Sequence, residues 1–226
     1  MAIVARTSVA GTTAATATAM RRIKAVVFDM DGTLCIPQPW MFPAMRKAVG
    51  LDDPKMDTLL FIDNLPTAEA REHAHAAIWR VEEKAMGEMQ PQPGLQGLMS
   101  YLSIHGYSKS ILTRNERRPV DHLISNFLTG QDIKKFDYIV TREFKPTKPA
   151  PDPLLYIAGQ LRLQPMQILM VGDSIDDMRC GRVAGCVTLL LKNNNNKYLL
   201  SEHAELVDFA VDRLDHIPDI LEQINR

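Results

Sequence analysis

Asp29 and Asp31 stand two residues apart at the end of the apolar run Ala25–Phe28 and are followed at once by Gly32 and Thr33. In an extended chain that spacing sends both carboxylates to one side. Two such charges about 5 Å apart repel by roughly 3 kcal/mol at an effective dielectric near 20, enough to raise one pKa by about 2 units. Either response is chemically useful. A cation neutralises the pair, or one acid keeps its proton and serves a leaving group. Gly32 permits a sharp turn off the strand. A plain Asp-Gly turn with both carboxylates in solvent is the competing reading.

Three further segments end apolar runs with polar groups: Thr113 after Ser110–Leu112, Lys148 after Tyr138–Val140, and Asp173 after Ile168–Val171. Asp173 has the hard oxygen donors a divalent cation requires. Each segment also has a purely structural reading. Ser174 to Asp177 spells S-x-x-D, a helix capping box, so Asp177 would cap a helix while bordering a metal; Asp176 is assigned to solvent. Thr113 to Glu116 spells T-x-x-E and reads as a cap as readily as a phosphate site, and the two roles are compatible at a helix N-terminus. Lys148 has a neighbour, Lys145, and a loop lysine alone is usually only solvated.

The elements that must position these groups follow from the pattern of the chain. Ala25–Phe28, Ser110–Leu112, Tyr138–Val140, Ile168–Val171 and Val187–Leu191 are short continuous apolar runs, the mark of strands buried on both faces. Helical patterns near Pro119–Leu128, Pro153–Leu161 and Asp176–Ala184 alternate with them, and one near Ile217–Ile224 closes the chain. The alternation predicts an α/β fold, a three-layer Rossmann-like parallel sheet core. Ligands of such a sheet bind outside the carboxyl ends of its strands, where all of these polar groups lie. Residues 37–90 contain no strand pattern but do contain helical stretches, Met41–Val49, Met56–Phe61 and Thr67–Met86, and read as a small all-helical domain inserted after the first strand. The core is then residues 21–36 and 91–226. Residues 1–20 read as a disordered or targeting tail, because the first acid is Asp29 while Arg6, Arg21 and Arg22 stand among many Ala, Ser and Thr, a mitochondrial-transit composition. Asn193–Asn196 reads as a solvent loop without a binding role.

Four motifs in order resemble those of the haloacid dehalogenase superfamily, in its phosphoglycolate-phosphatase-like branch: Val26–Leu34 (VVFDMDGTL), Ile111–Asn115 (ILTRN), Lys148–Asp152 (KPAPD) and Val171–Asp177 (VGDSIDD) with Gly181–Gly185 after it. The resemblance implies a magnesium-dependent phosphatase. Asp29 would attack phosphorus and form an aspartyl-phosphate, and Asp31 would protonate the leaving oxygen and then deprotonate water. Magnesium would be held by Asp29, Asp173 and the backbone carbonyl of Asp31. Thr33, Thr113, Arg114, Asn115 and Lys148 would surround the phosphoryl oxygens, with Lys148 also offsetting charge on the nucleophile and Asp177 orienting Lys148 or the metal's water shell. Arg114 between Thr113 and Asn115 departs from the family's usual Thr-Asn pair. The helical insertion looks like the family's cap and would select the leaving group. Trp40, Arg71 and Arg80 are specificity candidates there, with packing or solvation as the competing reading; His73 and His75, two apart on a helix, face away from each other and form no metal pair.

Alternatives remain within and outside the family. A dehalogenase of this kind would lack Asp31, whereas a sugar phosphomutase would keep all four motifs. A catalytically silent protein that binds a phosphorylated ligand or partner on this fold is a third reading. Arg114, Arg117, Arg118 and Arg142 are either a rim for a second anionic group or a solvated surface. A net charge of −1 in 226 residues, without a basic stripe, leaves nothing for nucleic acid, and no apolar run is long enough for a membrane span. The expected partner is a small phosphorylated metabolite, and the chain would act as a monomer or homodimer. Three cysteines, Cys35, Cys180 and Cys186, fit an intracellular, reducing compartment, cytoplasmic or, with a transit peptide, mitochondrial.

Overall fold

All four residues of β1 (Ala25–Phe28) are buried, on both faces of the strand. That requires a sheet covered on two sides. The computed structural model describes residues 22–226 except 131 and 134, so residues 1–20, expected to be a disordered or targeting tail, lie outside the described residues. The chain divides into two compact units, one of the residues up to Ile36 with Pro91–Arg226 and one of Pro37–Gln90.

The first unit holds a six-stranded parallel sheet of β1, β2 (Ser108–Leu112), β3 (Tyr138–Val140), β4 (Ile168–Gly172), β5 (Val187–Leu191) and β6 (Phe209–Val211), in the order β3-β2-β1-β4-β5-β6. The chain runs outward from β1 to β3 on one side and from β4 to β6 on the other. The crevice between β1 and β4 is therefore a switch point, where loops diverge and leave room for a ligand. Register brings Phe28 opposite both Ile111 and Val171, so Asp29, Thr113 and Asp173 leave the sheet at one edge.

The helices of this unit are α4 (Leu95–Ile104), α5 (Arg117–Phe127), α6 (Asp152–Leu161), α7 (Ile175–Ala184), the short α8 (Leu199–Glu202) and α9 (Ile217–Asn225), after the three helices of the second unit in chain order. Ala25 and Val27 of β1, with Leu112, Ile168 and Met170, pack on Leu154 and Ile157 of α6 and Cys180 and Ala184 of α7. The intervening positions face the other layer. Lys109, in register with Val26, reaches Ser103 of α4 through its ammonium at 3.0 Å, and α9 packs on α4. Two faces, each carrying helices, give the three layers expected from the alternating pattern.

Strands β1, β3 and β5 occupy the ranges read from the sequence, whereas β2 starts earlier, at Ser108, and β4 runs on to Gly172. Three elements had no sequence reading. Helix α4 carries Gly97 and two serines among its apolar residues, which blur its period; β6 has three residues; and α8 has four. Neither β6 nor α8 offers a window long enough for periodicity to register.

The second unit is all helical: α1 (Met41–Val49), α2 (Thr58–Asp63) and α3 (Ala68–Gly87). Met41, Met45, Ile62, Ala74, Ile78 and Ala85 form its core, with Trp40 and Phe61 packed against it. Asp57 and Thr67 cap α2 and α3 by accepting from the amides of Leu60 and Ala70. Trp40 lies 4.8 Å under the Lys84 ammonium, and Arg71 donates to the Leu65 carbonyl at 2.6 Å. Both are engaged structurally within this unit, while Arg80 is exposed. Among the described residues no helix is long and apolar enough to cross a membrane.

Candidate active site

The turn after β1 is wound on a single carbonyl. Met30 O accepts the amides of Thr33, Leu34 and Cys35 at 3.2, 2.8 and 3.1 Å, and the Cys35 thiol at 3.5 Å. This fold-back needs Gly32 at φ +80, the left-handed region, and it brings Gly32 so close to Asp173 that a Cβ there would lie 2.1 Å from Oδ2. The backbone of the first motif and the carboxylate of the last thus meet across the β1–β4 crevice. The Asp29 amide completes the seam by donating to Val171 O at 2.9 Å.

Lys148 is the centre of the charged cluster. Its ammonium donates to Asp29 Oδ1 at 2.5 Å and Asp177 Oδ1 at 2.6 Å, and its side chain is only 3% exposed. Asp177 fills the capping box that its spacing from Ser174 predicts, its Oδ2 accepting from the Ser174 amide at 3.1 Å and hydroxyl at 2.6 Å. Both oxygens of Asp177 are therefore occupied. A Cβ on Gly172 would sit 2.3 Å from Asp177 Cβ, so the strand end must be glycine for the cap to seat.

Oxygens of Asp29, Asp173 and Asp177 lie within 4.8 Å of one another. Four carboxylates, counting Asp31, lie around one buried ammonium, a surplus of negative charge. Burial pushes Asp29 from 3.8 up to about 7, with Asp177 and Asp31 adding to the rise and Lys148 opposing it. Burial, then repulsion from Asp29 and Asp177, pushes Asp173 up to about 8. The ammonium of Lys148 is desolvated, but the attraction of Asp177 and Asp29 outweighs that and holds it firmly charged. A divalent cation on Asp29 and Asp173 would cancel most of this surplus. Hard oxygen donors in close array, with Asp29 Oδ2 and Asp173 Oδ1 lacking hydrogen bonds among the described residues, fit magnesium.

Asp31 is turned elsewhere. Its Oδ2 accepts from Asn115 Nδ2 at 2.7 Å and its Oδ1 from the Cys35 thiol at 3.5 Å, so its side chain is held by two neutral donors. Burial raises its pKa, and these hydrogen bonds offset only part of the rise. Thr33 is fully buried, and its hydroxyl has no hydrogen-bond partner among the described residues. Thr113 is buried beside these groups, its amide on Val140 O at 3.0 Å.

Several sequence expectations change here. Thr113 is not a helix cap: α5 begins at Arg117, and the Thr113 hydroxyl accepts from the Asn115 amide at 3.1 Å in a local turn. Asn115 donates through Nδ2 to Asp31 Oδ2 at 2.7 Å, a link between the first and second motifs that spacing did not indicate. Asp176 is not simply solvated but pairs with Arg114 at 3.4 Å, tying the second motif to the fourth. Arg142 is buried and bonds Glu116, so it belongs to neither an open rim nor a solvated surface, whereas Arg117 pairs with Asp121 at the surface.

The largest departure is Asn193–Asn196. Its composition suggests a solvent loop, yet Asn193 Nδ2 donates to Asp173 Oδ2 at 3.0 Å, and Asn196, 5% exposed, donates to the Asp173 carbonyl at 2.8 Å. A run of one polar residue type carries no periodic signal. The one available hint was its place immediately after β5, at the same sheet edge as the acids.

A model of the haloacid dehalogenase-like hydrolase family matches residues 26–191, and the four motifs fall in that span. An uncharacterized hydrolase of Saccharomyces cerevisiae is 56% identical over 207 residues, 92% of this chain and 94% of its own. A phosphoglycolate phosphatase of Pasteurella multocida is 25% identical over 236 residues, covering 90% of this chain and all of its own length. Among solved structures, a hydrolase from Pseudomonas syringae superposes with a TM-score of 0.69 at 19% identity, over 88% of this chain and 98% of its own, a likeness of fold.

Proposed function

Because the chain belongs to the haloacid dehalogenase-like hydrolase family, we propose that it is a magnesium-dependent phosphatase that cleaves small phosphomonoesters through an aspartyl-phosphate on Asp29. The observation carrying this reading is the buried Asp29–Lys148–Asp177 bridge with Asp173 beside it at the open end of the sheet. Phosphoryl transfer asks for an in-line nucleophile and for charge stabilisation more than for covalent chemistry by the protein.

The residues divide that work. Lys148 holds Asp29 by Oδ1, fixing the carboxylate that attacks phosphorus, and its charge offsets the negative charge gathering on the transferring group. Asp177, pinned by Ser174, keeps Lys148 in place. Asp31, buried and held by neutral donors, keeps its proton more readily than a solvated carboxyl. It gives that proton to the leaving oxygen and recovers one from the water that releases phosphate. Magnesium, held by Asp29, Asp173 and the Asp31 carbonyl, supplies electrophilic stabilisation of the phosphoryl oxygens when bound. The helical unit Pro37–Gln90 acts as the cap that selects the leaving group, and Thr33, Thr113 and Arg114 contribute to phosphate binding.

The test is hydrolysis of p-nitrophenyl phosphate with and without magnesium by the native chain and by Asp29→Asn. Loss of about 10³-fold or more in kcat for the variant, with the fold intact by circular dichroism, is the expected outcome. Retained turnover in Asp29→Asn removes Asp29 as nucleophile, and turnover indifferent to chelator removes the metal.

A further inference from the structure

We propose that Asn193 and Asn196 position Asp173 for a divalent cation, making the loop after β5 part of the metal-holding apparatus; the proposal rests on the reading of Asp173 as a metal ligand. Asn196 has no freedom left. Its Nδ2 donates to Asp173 O at 2.8 Å and to Leu191 O at 2.9 Å, while its Oδ1 accepts from the Asn193 amide at 2.8 Å. It is a buried strut joining the end of β5 to the loop after β4. Asn193 is similarly determined. Its Oδ1 accepts from the Asn195 amide at 2.8 Å, which forces Nδ2 toward Asp173 Oδ2 at 3.0 Å. The flipped amide would set two oxygens together at Asp173 and two donors together at Asn195.

The result is a carboxylate fixed on both sides. Gly32 lies against Asp173 Oδ2 so closely that no Cβ fits, and Asn193 holds the same oxygen by a hydrogen bond. Asp173 Oδ1 is left without a hydrogen bond among the described residues. The donors are neutral amides, so they leave the negative charge of the carboxylate to a cation while restricting its rotation. Carboxylate ligands oriented by such partners bind metal about 10- to 100-fold more tightly than those left loose.

The experiment is calorimetric titration of the purified full chain with magnesium chloride alone, paired with the magnesium dependence of aryl phosphate hydrolysis. Asn193→Ala is expected to weaken magnesium binding about 10-fold and to raise half-saturation in the assay equally, with kcat at saturating magnesium within about 3-fold of native. Asn194→Ala, at an exposed position of the same loop, serves as control and leaves both values unchanged. Asn196→Ala removes three bonds and is informative only where it folds; the case stands on Asn193→Ala. Asp173→Asn is titrated in parallel. Loss of binding in Asp173→Asn with native binding in Asn193→Ala overturns the positioning role. Native binding in both overturns the assignment of Asp173 as ligand, and the present proposal with it.

Discussion

Asp173→Asn should make the metal-free protein more stable while abolishing its response to magnesium. Folding raises the Asp173 carboxyl from 3.8 to about 8, burial being the main cause and Asp29 and Asp177 the next. A group raised in this way contributes its full stability only below about pH 4, and that contribution is lost as pH rises toward 8. At about 1.4 kcal/mol per pH unit above the unfolded value, burying this carboxyl costs at most about 4 kcal/mol at pH 7. Asp29, raised to about 7, shares the same repulsion, so the two costs are not additive. A neutral amide at position 173 keeps the shape and removes the charge. A gain of about 2 kcal/mol in chelator at pH 7.5 would lift Tm by roughly 4–8 °C for a chain of this size. At pH 5, only about one unit above the unfolded value of 3.8, the penalty is at most about 2 kcal/mol, so the advantage should shrink to less than half. Scanning calorimetry from pH 5 to 8.5, with chelator or with magnesium, reads all of these. Native protein should gain stability from magnesium and Asp173→Asn should not. A variant less stable than native in chelator at pH 7.5, or an advantage that does not fall with pH, would refute the electrostatic reasoning.

Lys148→Ala should lower stability by about 3 kcal/mol at pH 7.5, because two carboxylates lose their buried counter-charge. Denaturant titration should show the loss shrinking at pH 5, where Asp29 takes up a proton, and kcat should fall with it. Cys180 and Cys186, buried and pushed up to about 12, should resist iodoacetamide in the native chain at pH 8 and react within minutes in denaturant, read by intact mass. Rapid native labelling of either would show that the packing of α7 on the sheet opens readily.

How far the chain could be read in advance depended on how local the cause was. Strand β1 declares itself through four apolar residues, and Ser174 and Asp177 are neighbours on one helix turn, so their mutual cap follows from spacing. Asn115 and Asp31 are 84 residues apart, Arg114 and Asp176 62, and Asn193 and Asp173 20. No periodicity connects such pairs. Thr113 shows the opposite error, a local pattern overruled: its T-x-x-E spacing suits a cap, but three more residues, 114–116, intervene before α5 starts at Arg117.

The sequence by itself determined the parallel sheet, because doubly buried strands alternating with helices have few ways to pack, and it determined which edge carries the acids, because each follows an apolar run. Only the tertiary structure decided how those acids are held. The partners of a polar side chain are whichever donors the register of the sheet carries to the same edge, and the strand order that sets β1 between β2 and β4 brings Lys148, Asn115 and Asn193 there from three separate loops.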